Sequence, residues 1–154
     1  MSENVTDAPK VWMLPPTLVL MHICAGITLN WLVPISFGSA WGWLGLILLI
    51  SAFGITYWAK TSFAKAGTNV VPNQPSTTIV KDGPFQYSRN PMYLSFLIGF
   101  AGLAMLADAP IMLLFLGSLY YLLDERIIVP EEEYLIEKFG EEYDVYCQNV
   151  RRWV

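Results

Sequence analysis

Two polar segments of this 154-residue chain contain most of the residues that could take part in chemistry. The first runs from Lys81 to Tyr93 and includes the sequence Arg89-Asn90-Pro91. Proline is favoured at the first position of a helix, so Asn90 is expected near a helix N-cap. Backbone N–H groups at a helix start attract anions, and with Arg89 beside them they would suit a carboxylate. The alternative is that Asn90 only caps the helix and that Arg89 is a surface side chain with no ligand.

The second polar segment runs from Asp124 to Gly140 and has Pro130 directly before three glutamates. Proline followed by carboxylates favours a helix start, because the acids lie at the positive end of the helix dipole. Capping accounts for only one or two of these acids, which leaves Glu131 or Glu132 for another task. Gly140 is expected to end this helix, and a further helix is predicted from Glu141 to about Arg152.

Metal chemistry is not indicated by the sequence. Cys24 and Cys147 are expected at different levels of the molecule, and neither has a second ligand at metal-binding spacing, so no zinc, haem or disulfide is predicted. His22 stands alone in an apolar stretch, where a neutral imidazole bonded to a neighbouring helix is favoured over a functional group.

The composition limits the class of protein in which these two polar segments can lie. Hydrophobic residues make up 55% of the chain and charged residues 14%, whereas soluble domains have about 25% charged residues. This excludes an ordinary soluble domain and a disordered chain. The net charge of -4 provides no extended positive surface that could bind nucleic acid, so nucleic-acid binding is excluded.

Four membrane spans are predicted, in an all-α helix bundle that forms a single domain over residues 1–154. No Asp, Glu, Lys or Arg occurs between Lys10 and Lys60, a length that allows two crossings of about 20 residues each. A secretory signal peptide is the competing interpretation of the first stretch, but the expected basic leader is missing. The four predicted spans cover residues 16–33, 41–58, 91–107 and 110–129.

The loop at residues 59–90 contains Lys60, Lys65, Lys81 and Arg89, whereas the two opposite loops contain no basic residue. The positive-inside rule therefore places this loop, both termini and a C-terminal segment at residues 130–154 on the cytoplasmic side. The start of span three and the end of span four then meet at one boundary. The pocket formed there would combine an anion-binding helix start, carboxylates and aromatic walls, and its expected residues are Arg89, Asn90, Glu131, Glu132, Tyr87, Tyr93, Phe139 and Tyr143.

At these residues the sequence resembles the superfamily of isoprenylcysteine carboxyl methyltransferases and phospholipid methyltransferases. Its first motif, Gly-Pro-Tyr/Phe-x-x-x-Arg-His/Asn-Pro-x-Tyr, matches Gly83-Pro-Phe-Gln-Tyr-Ser-Arg-Asn-Pro-Met-Tyr93. Its second motif, Glu-Glu-x-x-Leu-x-x-x-Phe-Gly-x-x-Tyr-x-x-Tyr, matches the segment from Glu131 to Tyr146. The resemblance runs from about Phe63 to Trp153, and the first two spans match only in hydropathy.

The resemblance implies an integral membrane enzyme that uses S-adenosylmethionine to methylate a lipophilic acceptor. It implies catalytic roles for Arg89, Asn90 and Glu131. Asn90 stands where many members have histidine, and it cannot carry a proton near neutral pH. The cofactor site carried over by position comprises Tyr87, Arg89, Asn90, Pro91, Tyr93, Glu131, Glu132, Leu135, Phe139, Tyr143 and Tyr146.

Several points remain open in the sequence. The acceptor could be an isoprenylcysteine-like carboxylate or a lipid amine, and the short chain suggests a prokaryotic inner membrane. Rival functions are a nicotinamide-dependent reductase related to sterol reductases and a non-enzymatic four-span subunit or transporter. Asp124, Glu125 and Arg126 form either a structural ion cluster or, through Arg126, part of the cofactor site. The motif ending Val150-Arg151-Arg152 departs from the family's Val-Pro-Arg.

Overall fold

The computed structural model describes residues 8–9, 11–69 and 74–154. In these residues all regular structure is helical and no strand occurs, as the fold-class prediction requires. The α-helices are α1 (Pro15–Leu32), α2 (Gly42–Ala66), α3 (Pro91–Leu106), α4 (Leu114–Leu123), α5 (Val129–Phe139) and α6 (Glu141–Asn149). Short 3-10 turns precede α2, α3 and α4, and a π-helical segment, Asp124–Ile128, joins α4 to α5.

Helices α1 and α2 are long and apolar enough to cross a membrane, and α3 is a shorter apolar helix. Most of the α1 and α2 surface faces outwards, with large side chains such as Trp31, Ile50 and Phe53 exposed. Continuous apolar surfaces of this size are uncommon on soluble monomers, but they suit contact with lipid. The exposed faces therefore agree with association of these two helices with a membrane.

Helix α2 continues beyond the predicted end of span two at residue 58 and ends at Ala66. The segment after residue 58 has no helix breaker until Gly67, which adopts a left-handed conformation with φ of 66°. Such a glycine is a common C-terminal stop. Residues 59–66, predicted as loop, are therefore a helical extension, and residues 70–73 of that predicted loop lie outside the described part of the chain.

Helices α2 and α3 pack closely because glycines face each other. A Cβ atom on Gly45 would lie 2.6 Å from the carbonyl oxygen of Gly102, and one on Gly102 would lie 2.9 Å from the carbonyl oxygen of Gly45. The hydroxyl oxygens of Thr56 and Ser95 are 2.7 Å apart across the same interface. Gly42, at the start of α2, makes no such contact and faces open space.

The helix around Pro130 differs from the prediction. Helical structure is continuous from Leu114 to Phe139 through the π-helical segment, and α5 does not begin afresh at Pro130. Proline cannot donate a backbone hydrogen bond, and its ring crowds the carbonyl four residues earlier. The wider π-helical turn before Pro130 gives that ring room and allows the helix to continue.

The core lies between α1, α3 and α4, where Leu18, Phe100, Met112 and Leu119 are almost fully buried. At one end of the bundle, the carboxylate of Asp108 accepts hydrogen bonds from the Ser36 hydroxyl and the Phe37 N–H. At the other end, α1 and α3 begin and the helical run containing α4 reaches α5. The two polar segments meet at this second end.

Candidate active site

A cavity of about 350 Å³ lies where the start of α3 meets α5, α6 and the first residues of α1. Small-molecule pockets have volumes of roughly 300–1,000 Å³, so this cavity lies at the lower end of that range. Apolar side chains from the segment before α3, including Val80 and Phe85, form part of its wall. Leu14 and Pro15 contribute the wall nearest to α1. A mostly apolar cavity whose charged side chains come from the start of α3 and from α5 is suited to an amphipathic ligand.

The start of α3 is held by residues 150–152. The Arg89 N–H donates to the Arg151 carbonyl at 3.0 Å. The Asn90 side-chain amide donates to the Arg152 carbonyl at 3.1 Å, while its backbone N–H donates to Ser88 Oγ at 3.0 Å. Asn90 is the residue before α3, as predicted, but its side chain bonds this distant carbonyl and makes no capping bond to its own helix.

Glu132 is buried between two guanidinium groups. Its Oε1 accepts from Arg89 Nε at 3.0 Å and from Arg89 Nη2 at 2.8 Å. Its Oε2 accepts from Arg152 Nε at 3.1 Å and from Arg152 Nη2 at 2.7 Å. Arg89 also donates through Nη1 to the carbonyls of Cys147 and Val150. Both oxygens of Glu132 are thus engaged by arginine, which makes this residue a link between three segments.

Asp124 completes the charge cluster from the π-helical segment. Its Oδ2 accepts from Arg152 Nη1 at 3.1 Å, and its Oδ1 accepts from the Trp153 indole N–H at 2.8 Å. Arg152, whose pKa is raised mainly by its hydrogen bond to Glu132, therefore bridges two carboxylates. Two arginines balance two acids in this cluster, so its charges compensate within the protein.

Glu131 is placed differently from its neighbour. It lines the cavity, and its Oε1 accepts a hydrogen bond of 2.7 Å from the Tyr93 hydroxyl. Burial raises the pKa of Glu131 to about 8, the Tyr93 hydrogen bond opposes that increase, and the charge of Glu132 adds to it. The side chain keeps some accessible surface because it faces the cavity, although protein atoms surround its carboxyl group. Glu131 is therefore the cavity carboxyl group that arginine does not neutralise.

Two tyrosines of α6 form an uncharged wall. The Tyr146 hydroxyl donates to the Phe85 carbonyl at 2.7 Å, and the rings of Tyr143 and Tyr146 have centroids 5.9 Å apart. Burial raises the pKa of both Tyr143 and Tyr146 well above the ordinary tyrosine value. These side chains therefore stay protonated at neutral pH and offer aromatic surface to a ligand.

The structure brings most of the predicted site residues together. Tyr87 lies outside the cavity, exposed and next to Trp58 at a ring distance of 6.4 Å, and Phe139 is not part of the lining either. Arg126 is exposed and does not line the cavity, whereas Asp124 belongs to the charge cluster. Predicted residues that do line the cavity are Arg89, Asn90, Pro91, Tyr93, Glu131, Glu132, Leu135, Tyr143 and Tyr146.

Sequence reasoning missed two groups of residues. One is the apolar wall supplied by Leu14, Phe63 and Phe96, whose sequence positions give no local sign that they share a site. The other is Arg152 with Trp153, for which the signal was the final arginine of the family's Val-Pro-Arg pattern, which Arg152 retains. His22 is bonded through Nδ1 to the carbonyl of Leu18 at 2.8 Å, within its own helix and not with a neighbour.

The described residues contain no group of three or more histidine, cysteine or acidic side chains that could hold a metal ion. Cys24 and Cys147 are both free thiols. Burial raises the pKa of the Cys147 thiol, which makes it a poor nucleophile. The chemistry of this cavity therefore depends on its carboxyl, guanidinium, amide and phenol groups.

These features define a helical, membrane-associated protein with a small-molecule cavity at one end of its bundle. A family model described as phospholipid methyltransferase matches residues 40–142, which is more than half of the chain. The protein belongs to the phospholipid methyltransferase family, and the resemblance read from the two motifs is confirmed. Membership indicates a methyltransferase that acts on a lipid-like substrate. No curated protein sequence matches the chain.

Proposed function

We propose that the protein transfers a methyl group from S-adenosylmethionine to a lipophilic acceptor at the cytoplasmic boundary of a membrane. The observation that carries this proposal is the convergence of both motifs on one cavity that contains the carboxyl group of Glu131. A cavity with one such acid, aromatic walls and an apolar side suits a ligand that is partly cationic and partly flat.

The residues present fit S-adenosylmethionine in chemical type. Glu131 could face a cationic group, and the Tyr143 and Tyr146 rings could face a planar base. The Arg89 guanidinium already makes four hydrogen bonds within the protein, so we assign Arg89 mainly to orienting the start of α3. When bound, the cofactor supplies an electrophilic methyl group on a sulfonium centre.

The contribution of the protein would be positioning and exclusion of water. Arg89 and Asn90 fix the start of α3, and Tyr93 orients the carboxyl group of Glu131 through its 2.7 Å hydrogen bond. A carboxylate acceptor is already nucleophilic and needs no base. An amine acceptor must lose a proton to a base other than Glu131, because Glu131 is assigned to the cationic group of the cofactor.

We further propose a single domain with four membrane crossings. Two crossings are α1 and α2, the third is the short α3, and the fourth is the helical run from Pro110 through α4 to the π-helical segment. Both termini and the cavity end would then face the cytoplasm, where the basic residues Lys60, Lys65 and Lys81 lie. The apolar cavity wall at Leu14 and Phe96 supports this arrangement, since an acceptor could approach along it from the lipid while the cofactor enters from water.

Calorimetric binding of S-adenosylmethionine and S-adenosylhomocysteine to detergent-purified protein tests the proposal. We expect micromolar binding that becomes much weaker in Glu131→Gln and is also weakened in Arg89→Ala. Lys81→Ala is the matched control, because it breaks an exposed ion pair with Glu142 and neither residue lines the cavity. Absence of binding by folded protein in both detergent and nanodiscs would refute the proposal. Binding of a nicotinamide cofactor instead would favour the reductase alternative.

A further inference from the structure

Residues 150–153 do not line the cavity, but they contact both motifs that do. The Arg152 carbonyl accepts hydrogen bonds from the Asn90 amide at 3.1 Å and from the Ser88 hydroxyl at 3.4 Å, at the start of α3. The Arg152 guanidinium binds Glu132 in the first turn of α5. One residue therefore connects the two helix starts that form the polar wall of the cavity.

The side chain of Arg152 is held in this position from its other edge. Its Nη1 donates to Asp124, and the same carboxylate accepts the indole N–H of Trp153. The Trp153 ring packs against Tyr120 with centroids 5.0 Å apart, which anchors the segment to α4. The Asp124 and Glu132 side chains are mostly buried, at 15% and 10% exposure. Buried carboxylates of this kind require compensating charge, which Arg152 supplies to both.

We propose that Arg152 is a positioning residue for the cavity, because its guanidinium holds Glu132 and thereby fixes the first turn of α5, where Glu131 lies. This inference rests on the proposed function. Arg152 does not line the cavity, so its effect on a ligand is indirect. Glu132 serves as the link, since its two oxygens join Arg152 on one side and Arg89 on the other.

The arrangement separates the tasks of two adjacent acids. Glu132 is neutralised by arginine and orients the backbone, whereas Glu131 keeps an acidic group available in the cavity. Loss of Arg152 would leave Glu132 with one cationic partner and increase the negative potential at Glu131. The titratable groups that line the cavity around Glu131 are Arg89, Tyr93, Glu132, Tyr134, Tyr143 and Tyr146.

Two measurements on the full chain test this role. The first follows protonation of Glu131 by infrared absorption without any ligand, with the band assigned by its loss in Glu131→Gln. The second is the calorimetric Kd for S-adenosylmethionine. In Arg152→Gln we expect the Glu131 midpoint to rise by about half a pH unit or more, because a neighbouring cation is removed. We also expect the Kd to increase about tenfold, and Arg152→Lys to recover part of both changes.

Arg151→Gln is the matched control, because Arg151 is the exposed neighbour and removes the same charge from the same segment. If Arg152→Gln does not fold, Asp124→Asn replaces it, since asparagine can still accept the Trp153 bond but no longer holds the guanidinium by charge. An unchanged midpoint and an unchanged Kd in the folded variant would overturn the inference. If wild-type protein binds no cofactor, the proposed function fails, and the infrared midpoint alone decides the positioning role.

Discussion

The proton on Glu131 provides a quantitative prediction for ligand binding. With a pKa of about 8 for Glu131, roughly a tenth of these carboxyl groups are ionised at pH 7 and roughly a hundredth at pH 6. A cationic ligand group that needs the ionised form must displace the proton. We therefore expect the affinity for S-adenosylmethionine to increase about tenfold from pH 6 to pH 7 and to level off above pH 8.

Calorimetry in buffers of different ionisation enthalpy measures both the affinity and the released proton. Wild-type protein should release close to one proton at pH 6.5, and Glu131→Gln should bind weakly with little dependence on pH. The matched control Lys81→Ala should follow the wild-type curve. An affinity that is constant from pH 6 to pH 7 in wild-type protein would refute the assignment of Glu131 as the group that contacts the cation.

The same pKa predicts how stability depends on pH. The carboxyl group titrates at a higher pH in the folded protein than in the unfolded chain, so its contribution is fully present below about pH 4.5 and is lost as pH rises towards 8. Each pH unit in that window costs roughly 1.4 kcal/mol of unfolding free energy. Without ligand, wild-type protein should therefore lose thermal stability relative to Glu131→Gln over this range, and parallel melting curves would contradict the reasoning.

Three further predictions concern the residues around this group and the helix packing. Tyr93→Phe removes the hydrogen bond that lowers the Glu131 pKa, so the midpoint for ligand binding should move to higher pH in calorimetry; a midpoint that falls would contradict this role. Glu132→Gln should lower the unfolding free energy by up to about 3 kcal/mol in denaturant titration, because two guanidinium groups lose their buried partner while one of them stays partly solvated. Gly45→Ala should cost about 1–3 kcal/mol by overpacking the helix interface, whereas Gly42→Ala, which faces open space, should change stability little.

The helices and the meeting of the two motifs could be predicted because they depend on local patterns. Uncharged stretches define α1 and α3 within a few residues, whereas α2 continues past its predicted end at residue 58 to Ala66. The proline after Asn90 defines the start of α3. Antiparallel topology then requires the start of α3 and the end of the α4 run to lie at one end of the bundle. The convergence of Arg89 and Glu132 follows from that geometry.

Other features depend on tertiary contacts that local patterns do not encode. Helical structure continues through Pro130 because a π-helical turn precedes it. The sequence shows only the proline, which favours a new helix start, and gives no sign of that turn. The pairing of Arg152 with Asp124 joins residues 28 positions apart, and no periodicity connects them. Local patterns also do not predict the exposed position of Tyr87. Phe85 and Arg89 of the same motif line the cavity, but the Tyr87 ring lies next to Trp58.

The most direct test of the account is transfer of a labelled methyl group. Purified protein in lipid nanodiscs is incubated with methyl-labelled S-adenosylmethionine and with lipid extracts, phosphatidylethanolamine or prenylcysteine. We expect label to appear in the organic phase with wild-type protein and Lys81→Ala, and to be lost with Glu131→Gln. Protein that binds the cofactor but transfers no label to any of these acceptors, or label transfer that is unchanged in Glu131→Gln, would contradict the proposed site.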